Sequence, residues 1–135
     1  MNEAVRAILD ESILGTLATV NEDGSAWATP LHLFYDDEAL YWFSHAGTQH
    51  SQNIEIRSEV SVVIYSPDES EGVKGVYVHG AAVKLDEANT EEAKQLVVKR
   101  LGAIPAVFEG AMAYRLPFGQ LDEARSRGNC WYFYS

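Results

Sequence analysis

The stretch from Ser25 to Tyr65 constrains the fold of this 135-residue chain more than any other. It predicts an apolar and aromatic strand, an acidic turn at residues 36–38, an aromatic strand over residues 39–44, a polar loop opening a short helix, and a strand over residues 60–65. Strand follows strand with few helices between them. This order indicates a small barrel rather than a sheet of βαβ units.

The rest of the chain adds strands and two further helices. An amphipathic helix is predicted over residues 2–12, followed by a strand over residues 14–20 and a hairpin turn at residues 21–24. Another strand covers residues 76–85, where Gly80, Ala81 and Ala82 suggest a bend. A capping box at Asn89 and Glu92 opens a helix that stops at Gly102, and two late strands cover residues 111–116 and 130–134. We expect one mainly β domain over residues 1–135, a barrel of six or seven antiparallel strands with flanking helices.

Composition narrows the class of protein. A net charge of −10 and a pI near 4.7 disfavour nucleic acid and anionic membrane surfaces as partners. Cys130 is the only cysteine, so we interpret it as a structural thiol. The N-terminus lacks a basic leader region, and no apolar run reaches membrane-spanning length. We therefore expect a soluble, cytoplasmic protein.

A polar loop, residues 45–51, lies where the aromatic strand gives way to the short helix. Free backbone N–H groups and the helix dipole favour an anion such as a phosphate at this position. Thr48 and Ser51 offer hydroxyls, Gln49 offers an amide, and a phosphate would push His50 towards imidazolium. A helix cap on a surface loop is an equally good interpretation of the same residues.

With Trp42-Phe43-Ser44 at a strand end and Gly47-Thr48-Gln49-His50 in the loop, the chain resembles the pyridoxamine 5′-phosphate oxidase-like family of flavin-binding split barrels. The resemblance covers roughly residues 4–86, and a weaker resemblance is found at Trp131-Tyr132. Gln49 and His50 stand where many members carry basic residues. That departure argues against the vitamin B6 oxidase itself.

The resemblance implies an antiparallel, Greek-key split barrel that holds FMN at a homodimer interface. A barrel of this size fills its interior with side chains, so a flavin on the outside needs a second subunit as its other wall. The implied FMN-binding residues are Ala28, Thr29, Pro30, Leu31, Phe43, Ser44, Thr48, Gln49, His50, Ser51 and, from the partner subunit, Trp131. F420 and haem are alternative cofactors of the family. The loop has few basic residues, which favours FMN over the more highly charged F420.

Several alternatives remain open from the sequence. The protein is either an FMN-dependent oxidoreductase with an unknown small-molecule substrate and NAD(P)H as a candidate electron donor, or a non-catalytic, stress-related module that binds flavin. A barrel without a cofactor is a third interpretation. No residue is singled out as catalytic, and the four histidines lack metal-site spacing. Pro30 within a strand indicates an edge, a bulge or a position where a ligand replaces a neighbouring strand.

Overall fold

The computed structural model describes residues 1–135. Its helices are α1 (Glu3–Glu11), α2 (Gln49–Ile56) and α3 (Glu87–Leu101), with a 3-10 turn at Ala106–Phe108. Its strands are β1 (Leu14–Val20), β2 (Ala26–His32), β3 (Phe34–Tyr35), β4 (Ala39–Ser44), β5 (Glu59–Tyr65), β6 (Gly75–Ala81), β7 (Val83–Lys84), β8 (Met112–Pro117), β9 (Gln120–Leu121) and β10 (Cys130–Tyr134). No helix is both long enough and apolar enough to cross a membrane.

The strands form two sheets that enclose a common interior. One sheet has the order β2-β1-β5-β6-β10-β9, and the other has the order β3-β4-β8-β7. This arrangement confirms the predicted mainly β split barrel with flanking helices. One pairing differs from the expected antiparallel pattern, because β10 runs parallel to β6. The chain between them contains α3 and β8, which is ample length for the crossover that a parallel pair requires.

Two predicted strands are each broken where the chain passes from one sheet to the other. The first break is at Leu33, whose N–H donates to the carbonyl of Ile13 at 2.8 Å. The second is at Ala82, whose N–H donates to the carbonyl of Ser58 at 2.8 Å. The predicted bend at the small residues is therefore confirmed. If each broken strand is counted once and the two-residue β9 is left out, the barrel has seven strands, in agreement with the predicted six or seven.

Two apolar clusters hold the fold together. The larger lies between the sheets and includes the completely buried Leu17 and Trp42, with the apolar face of α1 packed on it. The smaller lies between the second sheet and α3, and its centre is the aromatic group of Phe34, Phe43 and Phe108. This second cluster extends to the end of β4, where the polar loop begins.

The helix ends described next agree with the sequence prediction, with one exception. Asn2 caps α1 by accepting a bond from the N–H of Val5 at 2.8 Å, as predicted. The predicted capping box of α3 is wrong. Asp86 caps the helix instead and accepts a bond from the N–H of Asn89 at 2.8 Å, so α3 begins at Glu87. Gly102 ends α3 in the left-handed conformation at φ +82°, as expected for a glycine stop.

Candidate cofactor site

The N-terminus of α2 is built around the Thr48 side chain. Its Oγ1 accepts a bond from the N–H of Ser51 at 3.3 Å and lies 2.7 Å from the Ser51 hydroxyl. It also lies 3.1 Å from the carbonyl of His45. Thr48 therefore caps the helix and at the same time gathers hydroxyls on one side of its first turn. The cap interpretation and the anion-site interpretation are compatible.

His50 joins this cluster from the other side. Its Nε2 is 2.7 Å from the Ser44 hydroxyl and 3.3 Å from the Thr48 hydroxyl. The imidazole is half-buried, and burial lowers the pKa of His50 below its usual value of 6.5. At neutral pH the free protein therefore carries a neutral His50, and the cluster contains no cation.

Two backbone donors complete the cluster. The N–H groups of Gln49 and His50 have no acceptor within the chain, as is usual for the first turn of a helix. An added Cβ at Gly47 would meet no atom within 4 Å, so the loop just before these groups has open space at Gly47. The donors present are hydroxyls, amide N–H groups and one imidazole. That set is suited to the oxygens of a phosphate.

A buried amide fixes α2 against the first sheet. Asn53 is only 2% exposed, and its side-chain nitrogen donates to the Thr19 hydroxyl at 3.0 Å and to the side-chain amide oxygen of Asn21 at 2.8 Å. Its own carbonyl oxygen accepts from the side chain of Gln49 at 2.9 Å. Gln49 is thus engaged with the scaffold and does not join the hydroxyl cluster. The sequence does not predict this role of Asn53, because a polar residue in a short helix gives no signal of burial.

The predicted residues 28–31 lie in β2, which is the edge strand of the larger sheet. Pro30 is opposite Thr16 of β1 and has no strand on its other side, so its missing N–H is tolerated. Thr29 and Leu31 are partly buried, whereas Ala28 and Pro30 are exposed. The free edge of β2 leaves backbone groups available to a planar ligand.

Phe43 and Trp131 are placed differently from each other. Phe43 is buried at the end of β4 and stacks on Phe108, with ring centres 5.4 Å apart. Trp131 lies in β10, four strands from β2, and packs on the larger core cluster with a buried indole N–H that has no acceptor. Within one chain, the structure brings Ser44, Thr48, His50 and Ser51 together and leaves Trp131 apart from them.

The loop after α3 borders the site, which the sequence did not reveal. The imidazole of His45 is 3.3 Å from the carbonyl oxygen of Val107, and the ring of Phe108 meets His32 edge-on at 6.4 Å. More than 50 residues separate these partners along the chain, so no local motif could indicate the contact. No three His, Cys, Asp or Glu side chains are grouped to hold a metal ion.

Fold and site together define a class: a split β-barrel with neutral phosphate-type donors at a helix N-terminus and a free strand edge nearby. The sequence matches the family described as "Pyridoxamine 5′-phosphate oxidase" over residues 1–123. The chain belongs to this family. No curated protein matches the sequence.

Solved structures share the fold at low identity. An FAD-binding protein from Mesorhizobium loti is 22% identical, with TM-score 0.67, 89% of this chain covered and 91% of that one. An F420 reductase is 20% identical, with TM-score 0.68 and coverage of 87% and 95%. A heme binding protein from Mycobacterium smegmatis is 21% identical, with TM-score 0.73, but only 49% of it is covered against 84% of this chain. The chain thus spans about half the length of that relative.

Proposed function

We propose that this chain is an FMN-dependent oxidoreductase that works as a homodimer, with one flavin site at each end of the subunit interface and residues 1–135 as one FMN-binding domain. The observation that carries the proposal is the cluster of Ser44, Thr48, His50 and Ser51 beside two free backbone N–H groups. Membership of a flavin-binding family supports the same assignment. Neighbours in structure that bind FAD, F420 or haem make F420 and haem the alternative cofactors.

The donor set fits the phosphate end of FMN. Thr48 and Ser51 would donate their hydroxyls, and the N–H groups of Gln49 and His50 would point at the phosphate oxygens. Ser44 holds the His50 imidazole at 2.7 Å and so sets its orientation. The backbone of residues 28–31 at the free edge of β2, together with Phe43 and Ser44, would meet the ring. The flavin supplies the electron-transfer chemistry when bound, and the chain binds and orients it.

The uncovered outer face of the larger sheet supports the homodimer. Five side chains on this face are apolar or aromatic although they are exposed or only partly buried: Leu14, Val63, Tyr65, Tyr77 and Tyr132. A polar group of Glu59, Ser61 and His79 lies beside them on the same face. Leu14 is 53% exposed and Tyr65 is 55% exposed. An apolar face of this kind is typical of a subunit interface. In the dimer, Trp131 of the partner subunit is proposed to cover the ring.

The first experiment is the visible absorbance spectrum of the purified protein, with and without added FMN. A flavin spectrum that is native or reconstituted supports the site. Its bleaching by NADPH or NADH without oxygen supports an oxidoreductase over the second candidate, a non-catalytic, stress-related flavin-binding module. Absence of bound flavin in excess FMN refutes the FMN assignment, and the same titration is then made with F420 and haem. A flavin-loaded monomer in analytical ultracentrifugation would refute the shared site.

A further inference from the structure

The segment between α3 and β8, residues 103–109, has a fixed backbone and an apolar outer surface, and we call it the apolar turn. Gly102 and Gly110 flank it in the left-handed conformation, at φ +82° and +78°. Within it, the N–H of Phe108 donates to the carbonyl of Pro105 at 3.0 Å. The ring of Phe108 is only 6% exposed. The apolar turn is therefore held by internal hydrogen bonding and by one buried aromatic side chain.

The apolar turn contacts both strands that are proposed to meet the flavin ring. Phe108 stacks on Phe43 at the end of β4, with ring centres 5.4 Å apart. The same ring meets His32 at the end of β2 edge-on, at 6.4 Å. The carbonyl oxygen of Val107 lies 3.3 Å from Nε2 of His45, the first residue of the polar loop. The apolar turn thus borders the proposed ring site where β2 and β4 end.

The outer surface of the apolar turn is built from side chains that the core does not use. Val107 is 67% exposed and Ile104 is 42% exposed, and neither belongs to the two core clusters. Glu109 is the only charged residue from position 102 to position 110. The apolar turn therefore offers no cation to an anionic substrate. Exposed apolar side chains beside a binding site are typical of a surface that contacts an apolar ligand.

We propose that the apolar turn forms one wall of the substrate site and selects a neutral, apolar substrate, which contacts Val107 and Ile104. This inference rests on the proposed flavin site, since the substrate must reach the ring that β2 and β4 would hold. A charged substrate would lose water at this wall without gaining a partner, whereas an apolar substrate gains free energy from the same burial. The net charge of −10 further disfavours an anion.

The test is isothermal titration calorimetry of the protein saturated with FMN. The neutral probe is 2-naphthamide, and 2-naphthoate is the anion of nearly the same shape. We expect saturable binding of the amide and at least about tenfold weaker binding of the carboxylate, because the wall cannot replace the water that the carboxylate loses. Val107→Ser should weaken the amide by about five- to fifteenfold, as loss of about two methyl groups from the contact implies, and should leave the Kd of FMN unchanged.

A matched variant locates the binding. Val73→Ser changes a valine that is 65% exposed in the loop between β5 and β6, so it should bind the amide normally. No saturable binding of the amide, equal or tighter binding of the carboxylate, or full binding of the amide by Val107→Ser would overturn the proposal. Dissociation of a dimer by Val107→Ser in analytical ultracentrifugation would also overturn it, because the apolar turn would then be a subunit contact.

Failure of the flavin site is recognised separately, from the absorbance spectrum with added FMN. If the protein binds FMN but not the amide, the proposed function stands and the substrate wall is refuted. If the protein binds no FMN, the proposed function fails, and titration of the free protein decides on the wall. Amide binding that Val107→Ser weakens and Val73→Ser does not would then support the wall, and absence of binding would refute it.

Discussion

Replacement of His50 by alanine should weaken FMN binding in a manner that depends on pH. In the free protein the half-buried imidazole is neutral at pH 7, because burial lowers its pKa. A phosphate near the imidazole would raise that pKa, so FMN binding should be accompanied by proton uptake. The affinity of the natural protein for FMN should therefore increase as the pH falls from about 8 to about 6.

The geometry sets the size of the effect. His50 lies within 2.7 Å of Ser44 and 3.3 Å of Thr48, so it stands among the other phosphate donors. A charge-assisted hydrogen bond contributes about 1.5–3 kcal/mol, which corresponds to about a 10- to 150-fold change in Kd. We expect a loss of this size for His50→Ala near pH 6 and a smaller loss near pH 8, where less imidazolium forms.

Fluorescence quenching of FMN gives the Kd at each pH. Riboflavin, which lacks the phosphate, is the control ligand, and its affinity should change little with pH or with the substitution. The FMN phosphate itself gains a proton near pH 6, which works against the effect, so the difference between natural protein and variant is the quantity to compare. An FMN Kd that His50→Ala leaves unchanged at both pH values would refute the phosphate role of His50.

Three further substitutions or conditions test the scaffold. Asn53→Ala should lower the free energy of unfolding by about 2–4 kcal/mol in urea, because a buried network of three hydrogen bonds is lost, and a loss below about 1 kcal/mol would contradict this. Gly15→Ala should lower the free energy of unfolding by about 1–3 kcal/mol, because the added Cβ would lie 2.4 Å from Leu33 Cδ1. Gly47→Ala is the control: its Cβ meets open space, so it should change the free energy of unfolding by less than about 0.5 kcal/mol. The melting temperature of the free protein should fall as the pH drops below 6.5, because His50 binds a proton more readily in the unfolded chain than in the folded one. His50→Ala should reduce that fall. If the melting temperature of the variant falls as steeply with pH as that of the natural protein, His50 is not the cause.

Local patterns predicted most of the elements. Alternation and turn residues located every main strand, and β10 lies over the predicted residues 130–134. The error at α3 has a local origin, since Asp86 and Asn89 are both good cap residues and the one nearer the preceding strand takes the position. The parallel pairing of β10 was not predictable, because it depends on where the chain re-enters the sheet after α3 and β8.

The candidate site was predictable only where it is local. Thr48, His50 and Ser51 lie within four residues of one another, and Ser44 closes the cluster from the preceding strand. The buried side chain of Asn53 contacts residues more than 30 positions away, in β1 and in the turn that follows β1. No local sequence pattern indicates such a contact. The lowered pKa of His50 likewise follows from burial in the folded chain, which the neighbouring residues in the sequence do not indicate.

The neutral phosphate loop has a consequence for salt dependence. Proteins that hold phosphate with lysine or arginine bind it less tightly as salt screens the attraction. Here the helix donors are neutral above the pKa of His50, while the chain carries a net charge of −10 that repels the FMN dianion. Salt should therefore screen a repulsion, and the FMN Kd at about pH 8 should stay constant or fall between about 50 and 500 mM NaCl. A Kd that rises several-fold over this range would show that a cation outside the loop, or one from the partner subunit, contacts the phosphate.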